Sequence, residues 1–172
     1  ASITALLLLA SAPAPAAAAP VASAMADEAI PASVFVTEKP KDAKELKDVK
    51  ASAQKGDIKK GDTVTVQGRI GGRTAPFVPG RAIFILADGR LVACSERSGD
   101  KCKTPWDFCC ESPDSLKANT ATVQIVGADG KPLKVTAEKS GGIATLSRLV
   151  VVGTVAEISK EGAFVINATK IY

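Results

Sequence analysis

The chain has 172 residues, the size of one ordinary domain, and carries 22 basic and 18 acidic side chains for a formal charge of +4. It contains no histidine, which removes the commonest general base, the commonest metal ligand and any Ser-His or Cys-His nucleophile pair. One Trp, one Tyr and five Phe are poor material for stacking bases or sugar rings, while the mild basic excess suits an anionic partner without requiring one.

Residues 3–9 form a short apolar run with four consecutive leucines. An Ala/Pro-rich stretch follows, with small-x-small sites at Ala22-Ser23-Ala24 and Ala24-Met25-Ala26. This pattern predicts a secretory signal peptide over residues 1–26 and a periplasmic or secreted destination. The apolar run is too short to span a bilayer, so no transmembrane span is expected. Residues 27–56 read as a linker and one short helix. Pro31 and Pro40 flank the apolar patch Val34-Phe35-Val36. Residues 40–54 then take a helical pattern, with Ala43, Leu46, Val49, Lys50 and Ala53 on one face. Gly56 ends it.

From residue 57 the period changes to alternation. Val64, Val66, Gly68 and Ile70 alternate with polar residues as a half-buried strand. Residues 81–86 are a second, more apolar strand, and Ala87-Asp88-Gly89-Arg90 a turn into a returning strand at 91–93. Residues 94–119 form a long irregular excursion holding all four cysteines and the only Trp. A loop of that length in a small domain is functional or cross-linked. Strand patterns resume at 122–126, 133–136, 149–156 and 164–168. Short strands at regular spacing predict a small barrel over 57–172.

The opening strand, Gly-Asp-Thr-Val-Thr-Val-Gln-Gly-Arg-Ile at 61–70, and the closing pair at 150–156 and 163–169 resemble the OB-fold. The likeness implies a mainly β chain: a small OB-like Greek-key β-barrel with one short N-terminal helix and a long Cys-rich loop. The segment Thr-Pro-Trp-Asp-Phe-Cys-Cys-Glu at 104–111 is also similar to a signature of uncharacterised exported bacterial proteins, a likeness that implies no activity. OB barrels bind oligonucleotides or oligosaccharides on the face of strands two and three. That face here offers Phe84 as its sole aromatic, with Arg69, Arg73 and Arg81 nearby. Nucleic acid is therefore a partner by fold analogy alone.

The cysteines are Cys94, Cys102, Cys109 and Cys110. Two chemistries compete. An oxidising compartment and an even number favour two disulfides. Adjacent Cys109 and Cys110 do not suit a mutual bond, so Cys94 pairs with one of them and Cys102 with the other. Alternatively, four thiolates satisfy zinc or an iron–sulfur centre, although the paired C-x2-C spacing is absent. Trp106 reads either as the packed centre of the loop or as an exposed anchor, and Asp100 and Asp107 as turn caps. No catalytic constellation stands out. The expectation is a non-enzymatic exported binding module without a cofactor. Its recognition elements are Trp106 in a disulfide-stapled loop and the barrel face of Arg69, Arg73, Arg81 and Phe84, for an anionic, carbohydrate or protein ligand. A four-cysteine metal protein and a single-strand nucleic-acid binder are the alternatives.

Overall fold

The computed structural model describes residues 29–172; the signal peptide expected at 1–26 lies outside them. Alternating Val and Ile positions build five strands that close on themselves. These are β2 (Thr63–Ile70), β3 (Ile83–Ala87), β4 (Thr120–Gln124), β5 (Arg148–Ile158) and β6 (Phe164–Ile171). A two-residue strand, β1 (Lys44–Glu45), precedes them. The spatial order around the barrel is β2-β3-β4-β6-β5, with β5 pairing back onto β2. β2, β3 and β4 run as an antiparallel meander. The chain then crosses to place β5 antiparallel beside β2, and β6 fills the gap antiparallel to β5 and parallel to β4. This is the Greek-key path of an OB-like barrel.

The inward set is aliphatic apart from two Phe: Val64, Val66 and Ile70 from β2, Phe84 and Leu86 from β3, Val123 from β4, Val151 and Val155 from β5, and Phe164 and Ile166 from β6. Burying a side chain of this size stabilises by about 1.5–3 kcal/mol. Closure needs a sharply coiled β5. Register shifts fall between Val152 and Gly153 and between Val155 and Glu157, and a Cβ on Gly153 would meet the Asn167 carbonyl oxygen at 2.3 Å. Only glycine admits that approach.

The first helix, α1, spans Leu46–Lys55 and ends on Gly56, whose φ of 86° is left-handed. It buries Leu46, Val49 and Ala53 in the barrel core, so residues 46–55 belong to the same folded unit as the strands. Its N-cap residue, Glu45, makes no side-chain cap. The cap comes from 41 residues away: buried Asp88 accepts from the Lys47 N–H at 2.8 Å and from Arg90 Nε at 2.8 Å. Burial works to raise the Asp88 carboxyl, but the bonds from Arg90 and Lys47 outweigh it and hold it below the ordinary value. Lys50 is 4% exposed. Its ammonium donates to the carbonyls of Lys117 at 2.7 Å, Thr120 at 2.6 Å and Gly162 at 3.1 Å. It thereby ties α1 to the β5–β6 turn and to a second helix, α2 (Pro113–Asn119).

Four expected elements come out differently. The helical pattern at 40–54 begins only at Leu46, because Lys44 and Glu45 pair in parallel with Val66 and Gln67. β2 meets β3 through only Arg69 and Ile70, and β1 occupies part of the edge left open. Residues 91–93 form no strand; Ala93 precedes a 3-10 turn at Cys94–Glu96. The strand expected at 133–136 does not form; the pairing nearby is a single bridge between Val126 and Pro132. α2 falls within the segment expected to be irregular. There Ser112 accepts from the Ser115 N–H at 3.1 Å and Pro113 opens the first turn, an ordinary helix start.

Candidate metal centre

The cysteine loop leaves the barrel after β3 and is fastened to it at three points. The first is apolar. Phe108 is fully buried with Ala87 and Ala93, and Leu91, Leu116 and Leu146 pack around it. It reaches that position through a left-handed backbone, φ 53°, which turns the chain so that Phe108 points to the barrel while its neighbours point away. The second is ionic. Arg69, from β2, lies 5.2 Å over the Phe108 ring and makes a two-pronged pair with Glu96, Nη1 to Oε1 at 2.7 Å and Nη2 to Oε2 at 2.8 Å. Arg69 Nη2 also donates to the Leu91 carbonyl, and Glu96 accepts from the Ala93 N–H at 2.8 Å. The Arg69 guanidinium, and with it the Ala93 N–H, holds the Glu96 carboxyl far down, to about 2. The third is a glycine socket. The Gly72 N–H donates to the Trp106 carbonyl at 2.8 Å, and a Cβ on Gly71 would meet that same oxygen at 2.4 Å.

So anchored, the loop brings its sulfurs together. Cys109 Sγ lies 3.4 Å from Cys94 Sγ and 3.7 Å from Cys102 Sγ. Cys94, Cys102, Cys109 and an oxygen of Asp107 all sit within 4.8 Å of one another. A second set, Cys94, Cys110 and an oxygen of Asp100, satisfies the same limit. Cys94 is buried, Cys102 half-buried, and Cys109 and Cys110 are exposed, so solvent reaches the cluster from one side.

Two Asp-x-Cys turns set this geometry. Asp100 Oδ1 accepts from the Cys102 N–H at 2.5 Å, and Asp107 Oδ1 accepts from the Cys109 N–H at 2.9 Å. Asp107 Oδ2 also accepts from Thr104 Oγ1 at 2.7 Å. Each carboxylate thus fixes the backbone of a cysteine two residues on, the Asx-turn habit of aspartate. At the loop's far end Arg97 pairs with Glu111 at 2.9 Å.

Among the described residues no two cysteine sulfurs lie at bonding distance, which is about 2.05 Å, so neither expected disulfide pairing is formed. The physical reason lies in the convergence: Cys94 and Cys102 both approach Cys109, an arrangement that no single bond satisfies. The distances instead match the edge of a tetrahedron. A metal–sulfur bond of about 2.3 Å implies a sulfur–sulfur edge of about 3.8 Å. As thiols the groups share protons unequally. Hydrogen bonding with Cys94, then with Cys102, pushes the Cys109 thiol up, burial raises Cys110, and the Thr104 N–H pulls Cys102 down.

The other residues singled out in the sequence do not assemble into one face. Phe84 is fully buried inside the barrel, because its alternation phase points it inward. Arg69 is consumed by Glu96 and Phe108. Neither presents itself to a ligand. Arg73 and Arg81 are exposed, and Arg73 lines a cleft of about 450 Å³ with Lys117, Thr120, Thr122 and Glu161. Trp106 is half-buried, its Nε1 donating to the Thr74 carbonyl at 3.0 Å; Phe108, not Trp106, is the packed centre of the loop. Sequence reasoning missed Phe108, Glu96 and the Gly71–Gly72 socket. The repeated Asp-x-Cys was the one local signal that marked how the carboxylates are used.

No family model matches the chain, and no curated protein or solved structure matches it either. The likeness to exported bacterial OB-fold proteins therefore rests on the sequence segments quoted above.

Proposed function

We propose that this protein is a non-enzymatic metal-binding protein of an extracytoplasmic compartment, an OB-like barrel that presents a thiolate-rich centre on its Cys94–Cys110 loop. The carrying observation is the convergence of Cys94, Cys102 and Cys109, with sulfurs 3.4 and 3.7 Å apart and the Asp107 carboxylate alongside. Soft sulfur donors select zinc, copper(I) or an iron–sulfur unit over hard cations such as magnesium. Zinc suits the set best, because three thiolates and one carboxylate oxygen complete a tetrahedron without histidine. Exposed Cys109 and Cys110 provide the entry path. The leader-like residues 1–26 support the compartment.

A disulfide-stapled binding module is the second reading. The same leader favours it, since thiols in an exported protein meet an oxidising environment. One experiment separates the two: intact mass of the purified chain before and after reduction, with elemental analysis of the same sample. Unchanged mass with stoichiometric zinc supports the metal centre. A gain of about four mass units on reduction, with no metal, overturns it and leaves a stapled loop. Visible absorbance with iron replaces zinc by an iron–sulfur unit.

A further inference from the structure

The four cysteines do not form a single set. Cys109 and Cys110 are neighbours in sequence, yet they join different groups: Cys109 with Cys102 and Asp107, Cys110 with Asp100. Cys110 Sγ lies 3.8 Å from Asp100 Oδ2. Cys94 alone belongs to both groups, and it is the only fully buried cysteine. The two aspartates play matching parts, each bonded through Oδ1 to the amide of the cysteine two positions on. On one side of Cys94, Asp100 Oδ2 faces Cys110; on the other, Asp107 Oδ1 lies 3.9 Å from Cys94 Sγ and 4.0 Å from Cys102 Sγ with a second lone pair to offer. A thiolate sulfur has lone pairs enough to bridge two cations.

Resting on the metal reading above, we propose that the loop holds a dinuclear centre: two soft cations bridged by the Cys94 thiolate. The first ion takes Cys94, Cys102, Cys109 and Asp107. The second takes Cys94, Cys110 and Asp100, with a fourth position open to solvent or to a small donor ligand. Each coordinating thiol releases its proton to water as the metal–sulfur bond forms, and no electron moves. Charge favours the second ion. With the first dication on three thiolates and Asp107, and Asp100 ionised beside it, the donors keep a net charge of about −3 while Cys110 is still a thiol; a second dication displaces the Cys110 proton and brings the set to about −2.

Cadmium is the probe, because it reports its own ligands. The reduced full chain is loaded anaerobically with cadmium-113 and measured by native mass spectrometry and cadmium NMR. Two ions per chain and two resonances, each split by the other through the shared sulfur, are expected. Cys110→Ser removes an exposed thiol outside the barrel core. It should bind one ion and show one unsplit resonance, with the far-ultraviolet dichroism of the wild type. Asp100→Asn keeps an acceptor for the Cys102 amide and should weaken only the second ion, by at least tenfold. One ion per chain, unchanged in Cys110→Ser, overturns the dinuclear centre while leaving the metal reading intact. Two resonances without mutual splitting overturn the shared thiolate. A chain that binds no cadmium overturns the metal reading itself.

Discussion

Phe108 carries the attachment of the cysteine loop, because it is the one large side chain that crosses from the loop into buried space. Phe108→Ala should cost about 3–5 kcal/mol locally, read as a red shift of Trp106 fluorescence at denaturant concentrations where the strands still give native circular dichroism. Gly71→Ala tests the same attachment from the barrel side. Its new methyl would press on the Trp106 carbonyl at 2.4 Å, and the loop should shift with a loss of metal affinity while the barrel stays folded. Lys50 provides the pH signature. Burial, with a smaller push from Lys117, lowers its amine from 10.5 to about 8; the three carbonyls do not offset the lost hydration. Between those values the unfolded chain binds more protons than the folded one, so the stability owed to this group grows as pH rises from 8 to 10.5 and is lost as pH falls back. Wild type should therefore gain stability over Lys50→Met across that window in parallel denaturation curves. The cysteines titrate in both proteins and cancel from the difference.

At the scale of elements, α1 is held by tertiary contacts more than by its own composition. Its first turn lacks a local cap, and Asp88 supplies one across the barrel end. Asp88→Ala strips that cap and leaves Arg90 only its exposed pair with Asp48 at 3.1 Å, so about 1–3 kcal/mol of stability should disappear. The loss should appear as faster hydrogen exchange through Leu46–Lys55 relative to β5 and β6. α2 is tied down from its other end. The carbonyls of Lys117 and Thr120, at its C-terminal end, find no partner within the helix, and Lys50 takes both of them. A buried lysine on one helix and a buried aspartate at the end of β3 together pin the helices to the barrel.

Over the whole molecule, the barrel and the loop divide the work. The barrel core is continuous and largely aliphatic, whereas the loop is anchored by a cluster of only three buried residues. A bound ion should therefore stabilise the loop far more than the strands. On the metal reading proposed above, saturating zinc should add about 4 kcal/mol to whatever region unfolds with the site when its concentration is about a thousand times Kd. Chelation should lower the melting temperature and expose Trp106 first; equal melting with and without chelator would sink the coupling of metal to loop folding. Among the described residues no helix is long and apolar enough to cross a membrane.

The barrel was legible in the residues alone, because buried and less buried positions alternate along much of β2 and β5 and turns fall between the strands. So was the crowding of four cysteines into 17 positions of a chain without histidine, the groups on which the proposed centre is built. How those cysteines group was not legible, and it emerges only in the folded chain. Sulfur geometry depends on where Phe108 turns, and that turn depends on a pocket formed by Ala87, Ala93 and Leu146, of which Leu146 lies far along the chain. Likewise Arg69 reads as a surface cation on an alternating strand until Glu96 and Phe108 close over it. Local periodicity encodes which face a strand residue takes. The partner waiting on that face is set by residues brought together only when the barrel closes.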